Sequence, residues 1–514
     1  MSENLGDILR RRAWISPNNQ AMVDLASGEC LTYPDLNARV NQTAHMLSSL
    51  GLKAGDHIAL LAFNSNEFVE IFFAGAKLGL VVVPLNWRLT PHELSYILNN
   101  SESNALFFGA EFSEAVATLY DKRAELSLLK HFVVIGREGA PDWALEYAEL
   151  RDKAPSDEPA LGASGSDALT IVYTSGTTGL PKGVVHSHQT AISGLNNALA
   201  TFPMAEHENY LIALPLFHVG ASTPLLLHLM AGNTVFLMRQ FDPVAMWDVI
   251  EAELITTTLA VPAMLNFMLK VPDFQSRDIS SLTGILSGAS PVPLELIKMY
   301  HDLGIQIHQV YGMTETFGPG CFLHGSEAIE RKGAAGKGYM MTDIRLVDDA
   351  GNEVPAGVPG EILMRGGHNM VGYWKNPEAT AETMHDGWLR SGDIGIADED
   401  GYVTVHDRLK DMIISGGENV YPAEVENVLL AHPDVADAAV IGQSSEKWGE
   451  TPLAVVVCAS KQRDKEAILA HCNECLAGFK APKDVVFVAE IPRNPTGKPL
   501  KRLLRDQFPG PAPV

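Results

Sequence analysis

Short apolar runs bounded by polar or turn residues recur through the first third of the chain. They are "HIALLAFN" at 57–64, "GLVVVPL" at 79–85, "ALFFG" at 105–109, "HFVVIG" at 131–136 and "ALTIVYTSG" at 168–176. Their length and their β-branched and aromatic content predict buried strands. Between them, "TYPDLNARVNQTAHMLSSLG" from Thr32 and "TPHELSYILNNS" from Thr90 carry apolar positions at helical spacing. Thr32 is placed to cap the first of these helices, and Gly51 to close it. Alternating strands and helices predict an α/β fold with largely parallel sheets. From Gly336 to Val405 the texture changes. Short apolar runs, glycines and prolines dominate, as in "IRLVDDAGNEVPAGVPGEILMRG", and predict a small β subdomain. After "DRLKD" at 407–411 a compact α+β segment follows. The expected fold is therefore α/β. A large N-terminal domain of mixed α/β subdomains plus a β subdomain spans 1–409, and a small mobile α+β C-terminal domain spans 410–514. The tail "FPGPAPV" reads as disordered.

Composition sets outer bounds. A chain of 514 residues is too long for one hydrophobic core. The most apolar stretch, "FFAGAKLGLVVVPL" from Phe72, is short and contains Lys77, so it reads as buried core and not as a membrane span. The N-terminal residues carry no apolar signal core, and the five cysteines suggest no disulfide framework, so a cytoplasmic location is expected. A net charge of −24 argues against nucleic acid and against adsorption to anionic membranes. Locally the balance reverses: residues 479–505 hold seven Lys/Arg against two Asp/Glu. A solvated helix face is the plain explanation of that run, and an anionic ligand is the functional one.

The densest chemistry lies at "YTSGTTGLPKGVVHSH", residues 173–188. Gly176 and Gly179 let backbone N–H groups approach phosphate oxygens closely. Thr174, Ser175, Thr177 and Thr178 add hydroxyls, Lys182 adds a positive charge, and Pro181 stiffens the loop. This is not the common NTPase loop. Starting at Gly176, G-x-x-x-x-G-K-[ST] needs glycine at 181 and a hydroxyl at 183, where the chain has Pro181 and Gly183. A plain surface turn is the alternative, and the run of such residues speaks against it.

This stretch resembles the phosphate-binding motif of the adenylate-forming superfamily, which includes acyl-CoA synthetases, adenylation domains of peptide synthetases and beetle luciferases. Further motifs follow in the family's order: "LPLFHVGA" at 214, "YGMTET" at 311, "GWLRSGDIG" at 387, "DRLKDMIISGGENVYPAEVE" at 407 and "PRNPTGK" at 492. "VPAMLNFMLKVPDF" and "GGENVYPAEVENVL" look most like bacterial fatty acyl-CoA and feruloyl-CoA-type synthetases. The resemblance implies a two-step reaction. A carboxylate attacks the α-phosphorus of ATP to give acyl-adenylate and pyrophosphate, and the thiol of coenzyme A then displaces AMP. Negative charge must be managed in both steps, so cations and backbone donors should carry much of the catalysis.

Carried over position by position, the resemblance makes Glu315 the Mg²⁺ ligand, a hard oxygen donor for a hard cation. It gives Thr314 an α-phosphate contact and stacks Tyr311 on adenine. Gly288, Ala289, Ser290, Gly312 and Met313 become nucleotide contacts. Asp393 accepts both ribose hydroxyls, with Arg408 beside it. Lys498 bridges the reacting carboxylate and the α-phosphate, and Lys410 is the hinge about which the C-terminal domain swings between half-reactions. Gly416 and Gly417 then let the pantetheine arm pass, Trp448 lines its tunnel, and Lys480, Lys483 and Arg88 are candidates for the nucleotide phosphates of coenzyme A. Some relatives carry arginine where this chain has Ala481. His218 guards the approach of the acid. Val219, Gly220, Val261, Gly288, Gly312, Met313 and Phe317 form the acyl wall, which has no Arg or Lys and so fits an uncharged hydrophobic acid. "HCNEC" at 471 and "HSH" at 186 lack a second Cys/His pair at zinc spacing and read as structural. Rival readings are an enzyme loading a carrier protein, a luciferase-like oxygenase and a non-catalytic nucleotide-binding regulator. The oligomeric state stays open, and the resemblance makes a homodimer one candidate.

Overall fold

In a computed structural model, the described residues are 3–174, 181–202, 204, 207–408, 411–415, 418–445, 448–459, 463–476, 478, 480–493 and 498–510. All five apolar runs are strands of one sheet, His57–Leu61, Val81–Pro84, Ser103–Gly109, His131–Ile135 and Ala168–Thr174, and they pair in parallel. A second sheet has a parallel centre that includes Asn209–Ile212, Thr257–Leu259, Gly284–Ser287 and Gln306–Tyr311. The helices pack on these faces, as parallel crossovers require.

Local chemistry explains the element ends. The Thr32 hydroxyl accepts from the Asp35 N–H, and the Asp35 carboxylate accepts from the Thr32 N–H, a reciprocal cap on the helix Tyr33–Ser49. Thr90 and Glu93 repeat the arrangement on the helix Pro91–Asn100. The apolar helix Asn66–Leu78 is buried between sheet and helix, as its composition demands. Its Lys77 is fully buried too. The ammonium donates to Asn37 (2.8 Å), Asn41 (2.6 Å) and Glu158 (2.8 Å), so a charge inside the core is paired and pins the connector around residue 158.

The region from Gly336 folds as a small antiparallel sheet built on Asp343–Val347, Gly360–Arg365 and Trp388–Ala397, with Val403–Arg408 on its edge. A separate sheet begins at Ile413 and combines Ile413–Ser415, Glu418–Val420, Val435–Ser445, Gly449–Cys458 and Asp484–Phe487 around its own core of Val425, Leu429, Val440, Val456 and Ile468. "HCNEC" lies on the helix Lys465–Cys475. Among the described residues no cluster of three His, Cys, Asp or Glu side chains is placed to hold a metal. Likewise, no helix among them is long and apolar enough to cross a membrane.

Candidate active site

The glycine-hydroxyl segment lies between two antiparallel strands, Ala168–Thr174 and Lys182–Ser187, with Thr174 opposite Lys182. The chain returns as a strand and not as a helix, which separates this loop from the NTPase kind. Ser175, Gly176, Thr177, Thr178 and Gly179 lie outside the described residues, as do Lys410, Gly416 and Gly417.

Strand Lys182–Ser187 organises what surrounds it. On its free edge it pairs with Gly372–Tyr373. The His186 Nε2–H donates to the Thr314 carbonyl (2.7 Å), and the Met370 N–H donates to the Glu315 carbonyl (2.7 Å). The short 3₁₀ turn Thr314–Thr316 is thus tied at two successive backbone oxygens. Its three residues are buried, and Phe317 closes it at φ +55. The Tyr373 hydroxyl donates to Glu315 Oε1 (2.8 Å), and the Lys182 ammonium stands 5.2 Å above the Tyr373 ring. Burial pushes the His186 pKa down to about 4, so the ring is a neutral donor at ordinary pH.

Tyr311, at the end of its strand, donates its hydroxyl to Asp393 Oδ2 (2.8 Å). Burial, and then the Asp393 charge, raise the Tyr311 pKa, so the phenol keeps its proton. Asp393 itself is buried, and its backbone is directly opposite Arg408 in the neighbouring strand. His218 precedes the helix Val219–Ala231, and its Nδ1 accepts the Gly220 N–H (3.0 Å), which leaves Nε2 to carry the proton. Burial, and then the charge of Lys498, press the His218 pKa to about 4. The C-terminal lysine is therefore within electrostatic reach of a residue 280 positions earlier. The same helix is fixed to the Thr314 turn by the Thr223 hydroxyl, which donates to the Phe317 carbonyl (2.9 Å).

The acyl-wall candidates divide. Val219 and Gly220 stand beside His218. Val261 packs on the core under the second sheet, Met313 on that of the β subdomain, and the Phe317 ring on His186 and the first core. Gly288 and Gly312 have packing reasons for being glycine. A Cβ on Gly288 would meet the Val310 carbonyl oxygen at 2.3 Å, and one on Gly312 would meet that of Gly318 at 1.6 Å. Ala289 follows at φ +67, ahead of Ser290. We therefore expect Gly288→Ala to lower the melting temperature by several degrees, an overpacking effect of about 1–3 kcal/mol. Unchanged melting with altered acid preference would leave the acyl wall as the reason for glycine at 288.

The coenzyme A candidates also divide. Trp448 is 44% exposed at a hairpin tip, and Gly449 beside it pairs with Ser415. The Lys480 ammonium holds both oxygens of Glu424 (2.7 and 2.8 Å), and Lys483 donates to the Gly478 carbonyl. Arg88 belongs to the large domain, where it stacks 3.9 Å above Trp87. Sequence reasoning missed Tyr373 and weighed His186 only as a metal ligand. Their partners lie 58 and 128 positions away, so no local spacing reveals them.

The class of protein this arrangement fits is the adenylate-forming enzymes. Residues 9–374 match the AMP-binding enzyme family and residues 424–498 match the AMP-binding enzyme C-terminal domain, and the chain belongs to that family. It is 41% identical to the long-chain-fatty-acid–CoA ligase FadD13 of Mycobacterium tuberculosis, over 99% of this chain and 100% of that one. It is 40% identical to a feruloyl-CoA synthase of Amycolatopsis, over 99% of each. Among solved structures, the o-succinylbenzoate–CoA synthetase of Bacillus subtilis in complex with ATP and magnesium ion superposes with TM-score 0.86 at 31% identity, covering 97% of this chain and 99% of that one.

Proposed function

We propose that the chain is an AMP-forming acid–thiol ligase that joins a hydrophobic monocarboxylic acid to coenzyme A. The observation that carries this reading is the buried Thr314–Glu315 turn, tied by His186 and Met370 beside Lys182 and fastened to the helix that His218 caps. Lys182, Thr314, Lys498 and the loop donors would then meet the phosphates, and Tyr311, Asp393 and Arg408 the nucleoside. A carboxylate oxygen attacks the α-phosphorus, the bond to the bridging oxygen breaks, and pyrophosphate leaves. The sulfur of coenzyme A then bonds to the acyl carbon, the acyl C–O bond breaks so that AMP leaves with its electron pair, and the thiol proton passes to solvent. Neutral His218 does not draw the acid into an ion pair short of the phosphate.

Glu315 suits a magnesium ion. One carboxylate oxygen is held by Tyr373, and among the described residues the other accepts no hydrogen bond. A single protein carboxylate completed by phosphate oxygens and water is the usual magnesium arrangement in nucleotide sites. The ion would supply charge neutralisation of the phosphates, and Glu315 would fix its position.

Val219 and Gly220 beside His218 supply no cation for a second carboxylate, which supports an uncharged acid. The long-chain and feruloyl specificities of the relatives make fatty and aryl acids the two classes to compare. Five free cysteines support a reducing, cytoplasmic setting. The test is pyrophosphate release with ATP and a panel of alkyl, cinnamate-type and dicarboxylic acids, with and without coenzyme A. We expect acid-dependent release and a thioester product. Release indifferent to the acid, or no thioester with coenzyme A, would sink the proposal.

A further inference from the structure

Two opposite charges face one side chain. Lys182 lies over the face of the Tyr373 ring at 5.2 Å, while the hydroxyl at the ring's edge binds Glu315 Oε1 at 2.8 Å. Lys182 and Glu315 form no ion pair with each other among the described residues. A flexible lysine near a buried carboxylate would ordinarily collapse onto it, and a nucleotide would then have to part the two before using either. The phenol offers each group a separate partner, a cation–π contact for the ammonium and a charge-assisted hydrogen bond for the carboxylate.

We propose that Tyr373 is a positioning residue that keeps Lys182 and Glu315 apart and aims the free oxygen of Glu315 at the metal position. This rests on the reading of Glu315 as a magnesium ligand. Tyr373 suits the task because its own position is fixed by backbone. Strand Gly372–Tyr373 pairs with Lys182–Ser187, with Tyr373 opposite Val184, and the Trp374 N–H donates to the Gly183 carbonyl (2.7 Å). Trp374 Nε1 is anchored in turn on the Asn100 carbonyl (2.9 Å). The ring therefore moves with the strand that carries Lys182, and the Met370 N–H holds the Glu315 backbone from the same segment. Both charged groups are referenced to one short piece of chain.

The test compares Tyr373→Phe with Glu315→Gln in the full-length protein. Mn²⁺ binding is read by electron paramagnetic resonance with α,β-methylene-ATP, which cannot transfer its adenylyl group. Tyr373→Phe keeps the ring under Lys182 and loses only the hydroxyl. We expect about tenfold weaker Mn²⁺ binding, the scale for losing a partner that orients a metal ligand. Binding of the analogue without metal should weaken much less than Mn²⁺ binding, and the protein should stay folded with only a small drop in melting temperature. Parental Mn²⁺ affinity in Tyr373→Phe, with weakened affinity in Glu315→Gln, would overturn the positioning role alone. Parental affinity in both would overturn it together with the Glu315 assignment. Equal loss of Mn²⁺, metal-free nucleotide and thermal stability in Tyr373→Phe would show a merely structural tyrosine, and would overturn it as well.

Discussion

Lys498→Ala should slow acyl-adenylate formation by about 10²–10³-fold, the cost of removing one preorganised group that stabilises developing charge. Given synthetic acyl-adenylate and coenzyme A, the same variant should still form thioester at nearly the parental rate. The asymmetry follows from where charge builds up. In the first step a carboxylate approaches a polyanion, and their repulsion needs a fixed cation between them. In the second step a sulfur approaches an acyl carbon that already carries its leaving group. Lys498 is flanked by a bridge between Arg493 and Pro499 and by the Leu500 N–H bond to the Pro492 carbonyl (2.8 Å). The effect of its charge on His218 supplies a second readout. With Lys498 removed, the His218 pKa should rise from about 4, although burial, the larger cause, remains. A nuclear magnetic resonance titration of the His218 ring would follow it. Equal loss of both half-reactions in a folded Lys498→Ala protein would mean that the lysine serves no single step, and the domain-alternation reading would fall with it.

What the sequence makes legible is what local chemistry dictates. Five apolar runs gave five strands because a strand buried on both faces must be continuously apolar. Thr32 announced a helix start because a hydroxyl residue just ahead of an apolar-periodic run can cap it. Position in the site was less legible wherever partners are distant. Gly288 reads as room for an acyl chain, and the fold adds a second reason for glycine there: the nearest atom to its missing Cβ is a main-chain oxygen of the adjacent strand. His218 looked like a gate, and its Nδ1 is also engaged as a helix cap. Lys480 looked available for phosphate, and it holds Glu424. Coenzyme A would have to compete with that carboxylate, an opposition that charge counting along 479–505 could not reveal because Glu424 lies outside the run. Tyr373 gave no signal at all, since a tyrosine in "VGYWK" is an ordinary strand residue until the fold brings Glu315 to it.

Acidification should unfold the protein between about pH 6.5 and pH 4, well before general carboxylate protonation. His186, His188 and His368 are at most 1% exposed, and burial depresses each pKa from 6.5 to about 4. In the unfolded chain the same rings protonate near the ordinary value. Between the two values the unfolded state binds more protons, so stability is fully present above pH 6.5 and is lost as pH falls toward 4. Each ring contributes about 3 kcal/mol across that window, against a typical total stability of about 5–15 kcal/mol. The geometry agrees with the sign. The Leu5 N–H donates to His188 Nδ1 (3.0 Å), a bond that protonation of that nitrogen would break. His368 sits between Asn197 Nδ2 and Thr342 Oγ1, each at 3.4 Å. Glu70, whose carboxyl burial pushes up, acts in the opposite direction as a single group. Urea midpoints measured from pH 7.5 to 4.5 should fall steeply below pH 6.5. His188→Gln keeps an acceptor for Leu5 and cannot titrate, so it should flatten the slope by up to one proton. The active-site turn is in the same balance, because the His186 ring that donates to the Thr314 carbonyl is buried and its charging strains the packing around that turn. Midpoints constant over this range, or a slope unchanged in His188→Gln, would mean that these rings accept a proton in the folded state and that the packing around them yields to charge.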